Sequence, residues 1–193
     1  DGLLTVMLKR PEKANSLTKA MLEDLDAAFA ATTAQAVILT GEGKVFSAGA
    51  DLDEARAGLA TDPVWDRLST RIAGLPCLTI AALNGTLAGG AMGMVLACDV
   101  RLAVPAAKFF YPVMKLGYLP QPADPARLVA LVGPARAKLI LMAGLKVEAP
   151  EALSWGLVDR LVEPDALLAE AEALTADVRA AKPGHAAAIK AMI

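Results

Sequence analysis

Short apolar runs alternate with amphipathic stretches along the first part of the chain. These runs lie at residues 3–8, 36–40, 78–82 and 100–104. Their length and nearly continuous apolar character predict buried strands. Apolar residues at helical spacing predict a helix over residues 18–31, and a charged stretch predicts another over 53–71 that is broken at Asp62 and Pro63. The alternation indicates an α/β fold in which both faces of a parallel sheet are covered.

The second part of the chain has a predominantly helical pattern. The predicted helices cover residues 126–132, 135–143, 149–155 and 165–181, and a short strand covers 157–162. Gly133, Gly144 and Pro183 mark three of the helix ends. We therefore divide the chain into a core, residues 1–125, and a helical C-terminal region, residues 126–193.

No charged residue occurs between Arg71 and Asp99. A stretch of this length is long enough for a membrane-spanning helix, but Pro76 and two glycine-containing turns divide it into shorter pieces. We therefore predict no membrane span. The expected elements are a buried strand, a turn and a buried helix over residues 90–97.

The charge balance and the few cysteine and histidine residues exclude several kinds of site. The chain carries 19 Lys and Arg residues against 21 Asp and Glu residues, without a basic cluster, so we expect no nucleic-acid partner. Cys77 and Cys98 lack metal-ligand spacing and predict reduced, buried thiols of a cytoplasmic protein. The single histidine, His185, excludes a multi-histidine metal site, and no metal is expected.

The start of the sequence carries no targeting segment. It has neither the basic region nor the apolar segment of a secretory signal, so we expect none. Because the sequence begins with Asp1 rather than Met, we also expect it to be part of a longer natural chain.

Two Gly/Ala-rich turns, each next to a strand-like run, are the main candidate for chemistry. Their sequences are Phe46-Ser47-Ala48-Gly49-Ala50-Asp51-Leu52 and Asn84-Gly85-Thr86-Leu87-Ala88-Gly89-Gly90-Ala91-Met92-Gly93. Such a pair can aim two backbone N–H groups at one oxygen atom, which makes an oxyanion hole without polar side chains. The alternative is that Gly89 and Gly90 serve only tight packing of a strand against a helix.

These turns and several ordered blocks resemble the crotonase superfamily, that is, the enoyl-CoA hydratase/isomerase family. The other blocks are residues 8–17, 37–41, 97–101, 116–120 and 152–159. The resemblance implies a crotonase-like spiral of ββα units with a helical C-terminal region, assembled as a homotrimer or a dimer of trimers. It also implies further C-terminal helices, which in the family pack on a neighbouring subunit and help to close the acyl-CoA site.

The resemblance assigns the oxyanion-hole donors to the backbone amides of Ala50 and Gly90. In the family these donors polarise the carbonyl of a CoA thioester and stabilise its enolate. Small residues allow the thioester to approach the backbone, and Gly90 opens the predicted helix, whose N-terminus favours negative charge. No separate cofactor is implied, since coenzyme A is part of the substrate.

Further positions match those that line the acyl-CoA site in the family. The implied substrate-binding residues are Ala14, Lys44, Phe46, Ala48, Ala50, Asp51, Leu52, Gly89, Gly90, Pro112 and Val113. Two readings remain open for Lys44, which either binds a phosphate of coenzyme A or is a solvated surface residue.

The sequence departs from the family at the two glutamates with which hydratases hold and activate water. The first family position lies three residues after the oxyanion-hole glycine and is Gly93 here; the second follows a proline, Pro112, and is Val113. Neither glycine nor valine transfers a proton, so general acid–base chemistry needs another group.

Few residues are available to replace those glutamates. Gln121 stands where some isomerases and dehalogenases of the superfamily carry an aspartate, but an amide is not a base. Asp124 either reaches the pocket or, as we expect, caps the helix entered at Pro125. Tyr111 and Tyr118 are expected to pack with their hydroxyl groups at a rim. His185 is expected at the surface.

Three functions follow from these observations. The leading hypothesis is an acyl-CoA enzyme of the enoyl-CoA hydratase/isomerase family that stabilises a thioester enolate. The alternative is a non-catalytic acyl-CoA-binding protein on the same fold. A serine hydrolase, suggested by a self-compartmentalising protease family that shares the spiral fold, is disfavoured because the chain has one histidine and no matching nucleophile elbow.

Overall fold

A computed structural model describes residues 2–193 of the protein. Within these residues the strands are β1 (Leu3–Leu8), β2 (Ala36–Gly41), β3 (Val45–Ser47), β4 (Leu78–Leu83), β5 (Thr86–Ala88), β6 (Val100–Ala103), β7 (Lys108–Phe110), β8 (Val147–Glu148) and β9 (Arg160–Leu161). The helices are α1 (Lys19–Ala31), α2 (Leu52–Arg56), α3 (Val64–Ala73), α4 (Met92–Leu96), α5 (Val113–Leu116), α6 (Asp124–Leu141), α7 (Ala149–Trp155), α8 (Leu167–Ala173), α9 (Ala176–Ala180) and α10 (His185–Lys190).

The four apolar runs of the sequence form one parallel sheet together with β9. The strand order in the described chain is β1-β2-β4-β6-β9, and all of these neighbours pair in parallel. Every residue of β2 is buried, as expected for a strand with both faces covered. The prediction of a covered parallel sheet is therefore confirmed.

A second, smaller sheet has the order β3-β5-β7-β8. The pairs β2 and β3, β4 and β5, and β6 and β7 each contribute one strand to the large sheet and the next strand to the small one. A helix follows each pair, namely α2, α4 and α5. This repetition is the predicted spiral of ββα units, and it brings the ends of β3, β5 and β7 side by side.

The uncharged stretch folds as predicted into a buried strand, a turn and a buried helix. Its strand is β4, the turn lies at Asn84 and Gly85, and α4 is buried throughout. The helix is shorter than the predicted 90–97, because a 3-10 turn, Gly89–Ala91, precedes it. No helix in residues 2–193 combines the length and the apolar character that crossing a membrane requires.

In the C-terminal region the observed helices and strands differ in detail from those predicted. The predicted break at Gly133 is present, since this residue has a φ of 79° inside α6. The single helix predicted over 165–181 is wrong, because α8 and α9 are separate helices. Buried Thr175 donates its hydroxyl to the carbonyl of Glu172 (2.7 Å), and this local bond competes with the helix ladder. The strand predicted at 157–162 shortens to β9, and β8 had no counterpart in the prediction.

Candidate functional site

The two Gly/Ala-rich turns contact each other directly. Gly49 has a φ of +90°, and a Cβ atom on it would lie 2.9 Å from the carbonyl oxygen of Ala88 and 3.3 Å from the Cα atom of Gly89. Only a glycine allows this approach without displacing the backbone. We call the two contacting turns, residues 46–52 and 84–93, the two-turn cradle.

The amide of Ala50 lies outside the backbone pairing of its own turn. An isolated parallel bridge joins Leu17 to Ala50. In this bridge Leu17 N–H donates to the Gly49 carbonyl (2.7 Å), and Asp51 N–H donates to the Leu17 carbonyl (2.9 Å). Because the neighbours of a bridged residue make its ladder bonds, the N–H group of Ala50 points to the opposite side, away from Leu17.

The amide of Gly90 lies at the start of a helical segment. Gly90 is the second residue of the 3-10 turn Gly89–Ala91 that leads into α4. The first N–H groups of a helical segment have no partner within that segment. Since α4 spans only Met92–Leu96, the local N–H group contributes more to the potential at this point than the helix dipole.

Two buried or partly buried asparagine side chains hold residues 41–45, which lead into the first turn. Asn15 is fully buried; its Oδ1 accepts from Arg10 N–H (2.8 Å), and its Nδ2 donates to the carbonyls of Glu42 (2.9 Å) and Val45 (2.8 Å). The Asn84 Oδ1 accepts from Gly41 N–H (3.1 Å), and its Nδ2 donates to the Gly43 carbonyl (2.9 Å). Sequence reasoning missed this role of Asn15, although asparagine tolerates its left-handed φ of 50° better than most residues.

A pocket of about 120 Å³ lies between the cradle and the segment that follows β7. Its lining includes Ala50 and Gly90, the buried Trp65 of α3 and residues of the segment 111–121. The Trp65 ring packs under Gly90, at 3.3 Å from the place of a Cβ atom there, and its indole N–H donates to the Leu59 carbonyl (2.8 Å). The pocket is therefore largely apolar, with two backbone amides on one wall.

Tyr111 is buried at the opposite wall. Its hydroxyl donates to Oδ2 of Asp124 (2.9 Å) and accepts from Gln121 N–H (3.3 Å). The prediction that the Tyr111 hydroxyl lies at a rim is wrong, because only 4% of this residue is exposed. Tyr118 is 36% exposed.

Asp124 does not cap α6. The helix begins at Asp124 itself, after Ala123, and no capping bond from a side chain at the N-cap is formed. The N–H group of Ala123 instead donates to Oδ1 of Asp66 on α3 (3.1 Å). The acceptor at this helix start is therefore a residue distant in sequence. The Asp124 side chain is thereby free to enter the interior, where the residue is 1% exposed.

The Asp124 carboxylate lies against Gly93 of α4. A Cβ atom on Gly93 would be 2.8 Å from Oδ1 and 3.1 Å from Oδ2 of this carboxylate. Oδ1 has no hydrogen-bond partner among the described residues. Burial raises the pKa of Asp124 to about 6, against the hydrogen bond from Tyr111, and burial together with the nearby carboxylate raises the pKa of the Tyr111 phenol.

Comparison with known proteins assigns this arrangement to a family. The sequence model described as Enoyl-CoA hydratase/isomerase matches residues 1–193. The chain belongs to the enoyl-CoA hydratase/isomerase family. It is 36% identical over 181 residues to a Rhizobium meliloti protein named "Probable enoyl-CoA hydratase", covering 88% of this chain and 68% of the relative.

Solved structures of enoyl-CoA hydratase/isomerase family proteins have the same fold. An enoyl-CoA hydratase from Bacillus anthracis superposes with a TM-score of 0.88 at 32% identity, covering 98% of this chain and 77% of that one. An enoyl-CoA hydratase/carnithine racemase from Magnetospirillum magneticum superposes with a TM-score of 0.89 at 32% identity, covering 99% and 76%. The crotonase-like fold expected from the sequence is therefore confirmed.

The structure brings most of the predicted substrate-binding residues of this enoyl-CoA hydratase/isomerase family member to one pocket. Those lining it are Ala48, Ala50, Leu52, Gly89, Gly90, Pro112 and Val113. Gly93 is buried behind this wall, against Asp124.

Four other predicted positions are not part of this lining. Phe46 is fully buried in the core, and Lys44 is exposed. Asp51 caps α2 and pairs with Arg10 (2.8 Å), which lowers the pKa of its carboxyl. The Ala14 carbonyl accepts from Ala48 N–H (2.9 Å), so Ala14 supports the first turn of the cradle.

The two cysteines, the histidine and the ion pair of Asp99 with Lys190 are not part of the lining of this pocket. A larger cavity, about 490 Å³, borders Cys77, Asp99 and Lys190, but there Asp99 is already paired with Lys190 (2.8 Å). Both thiols are unpaired and buried, as predicted, and His185 is exposed at the start of α10. Within residues 2–193, no group of three or more His, Cys, Asp or Glu side chains is arranged to hold a metal ion.

Proposed function

We propose that this protein binds a CoA thioester with its carbonyl oxygen between the N–H groups of Ala50 and Gly90. The observation that carries the proposal is the direct contact of the two turns, with both amides outside the backbone pairing and both residues at one pocket. Backbone donors held in place before reaction are worth most where negative charge develops, as on the oxygen of a thioester enolate. The proposed activity is enolate formation from an acyl-CoA.

A non-catalytic acyl-CoA-binding protein is the second candidate. The observation that favours it is the absence of a carboxylate from Gly93 and Val113, where the family resemblance places two glutamates. Such a protein would keep the two-turn cradle and hold the thioester without converting it. The two candidates share the binding step and differ only in turnover.

Incubation with a panel of acyl-CoAs tests both candidates. Calorimetry should detect binding of acyl-CoAs, and binding should weaken for free coenzyme A, which has no thioester carbonyl. Mass spectrometry of the same mixtures in deuterated water then detects turnover or proton exchange. Binding without any mass change favours the non-catalytic candidate, and no binding of any acyl-CoA contradicts both.

We also propose a homotrimer or a dimer of trimers. Large apolar side chains that line the pocket are exposed, including Leu119 (87%), Leu52 (69%) and Leu116 (56%). A cluster of exposed apolar residues is typical of a surface that another subunit covers. Light scattering should give the mass of three or six chains, and a monomer at micromolar concentration would contradict this assembly.

A cytoplasmic location is part of the same proposal. It is supported by Cys77 and Cys98, which are buried and unpaired, since proteins of oxidising compartments more often carry disulfides. The balanced charge supports the absence of a nucleic-acid partner. Fractionation of cells that express the protein at its natural level tests the location.

A further inference from the structure

A carboxylate from one helix fills the space beside a glycine of another. The Asp124 carboxylate of α6 lies where a side chain at Gly93 of α4 would begin, with Oδ1 2.8 Å from that Cβ position. The two residues are far apart in sequence, so no local pattern connects them. The glycine at position 93 therefore creates the space that a carboxylate from position 124 occupies.

Tyr111 connects this carboxylate to the pocket. Tyr111 lines the same pocket as Ala50 and Gly90, whereas Asp124 lies behind it. The phenol donates to Asp124 Oδ2 at 2.9 Å, an ordinary length for an O–H···O bond. The tyrosine oxygen therefore offers a direct route by which a proton can pass between the pocket and the buried carboxylate.

We propose that Tyr111 and Asp124 form the proton-transfer pair of this site, in which Tyr111 contacts the substrate and Asp124 holds the proton. The inference rests on the proposed binding of a CoA thioester in the two-turn cradle. Tyr111 is the catalytic residue, and Asp124 acts through it.

The step is balanced in protons and electrons. The tyrosine oxygen takes a proton from the carbon next to the thioester carbonyl, while the phenolic proton passes to Asp124 Oδ2. The electron pair of the broken C–H bond moves to the carbonyl oxygen, where Ala50 and Gly90 donate. The products are an enolate, an unchanged phenol and a neutral Asp124, and the reverse step returns the proton to carbon.

The surroundings of Asp124 suit this role. Burial raises its pKa to about 6, so both protonation states are accessible near neutral pH. The charged groups around it are Asp66, which raises this pKa, and Arg127, which lowers it and also donates to the Ser69 hydroxyl (2.8 Å). A free phenolate is not available as the base near neutral pH, because the pKa of Tyr111 is raised as well and the phenol keeps its proton.

One proton-holding pair limits the class of reaction. It serves reactions in which a proton leaves one carbon and is returned to the same or another carbon of the acyl chain. Addition of water needs a further group to activate the water, and Val113 supplies none. The substrates we infer are acyl-CoAs with an acidic proton next to the thioester.

Deuterium uptake into butanoyl-CoA in deuterated buffer tests the pair without requiring a complete reaction. The wild-type protein should catalyse exchange of the protons next to the thioester carbonyl. Asp124→Asn should slow this exchange about 10²–10⁴-fold with an unchanged Kd for butanoyl-CoA, and Tyr111→Phe should slow it to a similar degree. The wild-type rate should rise with pH through about 6, and the residual rate of Asp124→Asn should lack this rise.

Two further variants separate chemistry from stability. Asp99→Asn removes a partly buried carboxylate that accepts from Thr79 (2.8 Å) and Lys190, so it should destabilise the protein and leave exchange unchanged. Gly93→Ala places a Cβ atom against Asp124 and should slow exchange at least about tenfold at unchanged Kd. This loss is smaller than the full contribution of a general base, because the carboxylate is displaced and not removed.

The outcomes distinguish the pair from the binding site. Binding of butanoyl-CoA with no wild-type exchange, or with equal exchange and an identical pH profile in Asp124→Asn, overturns the pair and leaves the binding proposal intact. Failure of the wild-type protein to bind any acyl-CoA overturns both. Loss of exchange in Asp124→Asn and Tyr111→Phe, with retained binding, supports the pair.

Discussion

The two walls of the pocket are built in opposite ways. On one wall the two-turn cradle presents backbone amides, and Asn15 behind it uses its side-chain oxygen and nitrogen in three hydrogen bonds. On the other wall the polar groups belong to side chains, and one buried oxygen of Asp124 has no hydrogen-bond partner in residues 2–193. The cradle is therefore held in place by the hydrogen bonds of Asn15, whereas the Tyr111–Asp124 pair is able to change its protonation state.

This difference separates rigidity from reactivity within one site. Stabilising an enolate needs donors that do not reorganise, and unpaired amides on a backbone held in place by its neighbours provide them. Moving a proton needs a group whose protonated and ionised states are close in free energy. A buried carboxylate with one unpaired oxygen is such a group, although it lowers the stability of the folded protein. Variants on the two walls should consequently have different effects.

The largest expected effect concerns the missing glutamates. Hydration of crotonyl-CoA needs one group to activate water and another to protonate carbon, each worth about 10²–10⁴-fold. With Gly93 and Val113 at these positions, we expect hydration at least about 10⁴-fold below an ordinary turnover of about 10 per second. The loss of enoyl absorbance measures the rate of hydration. Wild-type turnover near 10 per second would refute the assignment of Gly93 and Val113 to the two glutamate positions.

The same comparison predicts how hydration could be restored. Gly93→Glu alone would collide with the Asp124 carboxylate, since the two would meet at 2.8 Å. The triple variant Gly93→Glu, Val113→Glu and Asp124→Gly should therefore hydrate crotonyl-CoA faster than the double variant that keeps Asp124. Equal rates would mean that Asp124 does not occupy the space of the first glutamate.

The next effect tests the backbone wall. Gly90→Pro removes one N–H donor and should lower any turnover or proton exchange about 10²–10³-fold, or about 2.7–4 kcal/mol. Gly90→Ala is the matched control, because it keeps the N–H group while adding a Cβ atom at the same 3.3 Å contact with Trp65. If both variants lose activity equally, packing against Trp65 rather than the amide determines the effect.

The cradle could be predicted from the sequence, because close approach of two backbones requires small residues at fixed positions. Gly49 and Gly89 carry that signal directly. The covered parallel sheet also followed from the apolar runs. The opposite wall was not predicted, since Asp before Pro at a helix start is typical of a cap.

Long-range contacts reversed that interpretation. Asp66 accepts a hydrogen bond from the N–H group of Ala123, 57 residues away in sequence, and the Asp124 carboxylate fills the space beside Gly93. Neither contact has a periodic signature in the sequence. The same limit explains α8 and α9, where one hydroxyl at Thr175 interrupts an otherwise helical pattern.

The fourth prediction concerns the pH dependence of stability. Asp124 titrates at about 6 in the folded protein and near 3.8 when unperturbed, so the folded state binds more protons between these values. Its contribution to stability is therefore fully present below pH 4 and is lost as the pH rises through 6. Asp124→Asn should stabilise the protein at pH 7 by up to about 3 kcal/mol.

Urea unfolding at several pH values measures this effect. The difference between wild type and Asp124→Asn should shrink toward zero below pH 4, where the wild-type carboxyl is protonated in both states. A constant difference across this range would mean that the variant acts through packing or hydrogen bonding instead of charge.

The smallest expected effect is a loss of stability, in contrast to the gain expected for Asp124→Asn. It tests the wall that the two-turn cradle forms. Asn15→Ala leaves Arg10 N–H and two carbonyls without their partner and places alanine at a φ of 50°, so we expect a loss of about 2 kcal/mol in unfolding free energy. Gln35→Ala is the control: its half-buried amide also donates to two carbonyls, at 3.0 and 3.4 Å, but lies outside the cradle. It should cost less than about 1 kcal/mol, since water can replace partners near the surface. A loss at Asn15 no larger than that at Gln35 would mean that the cradle does not depend on its buried amide, and the contrast between the two walls would then rest on Asp124 alone.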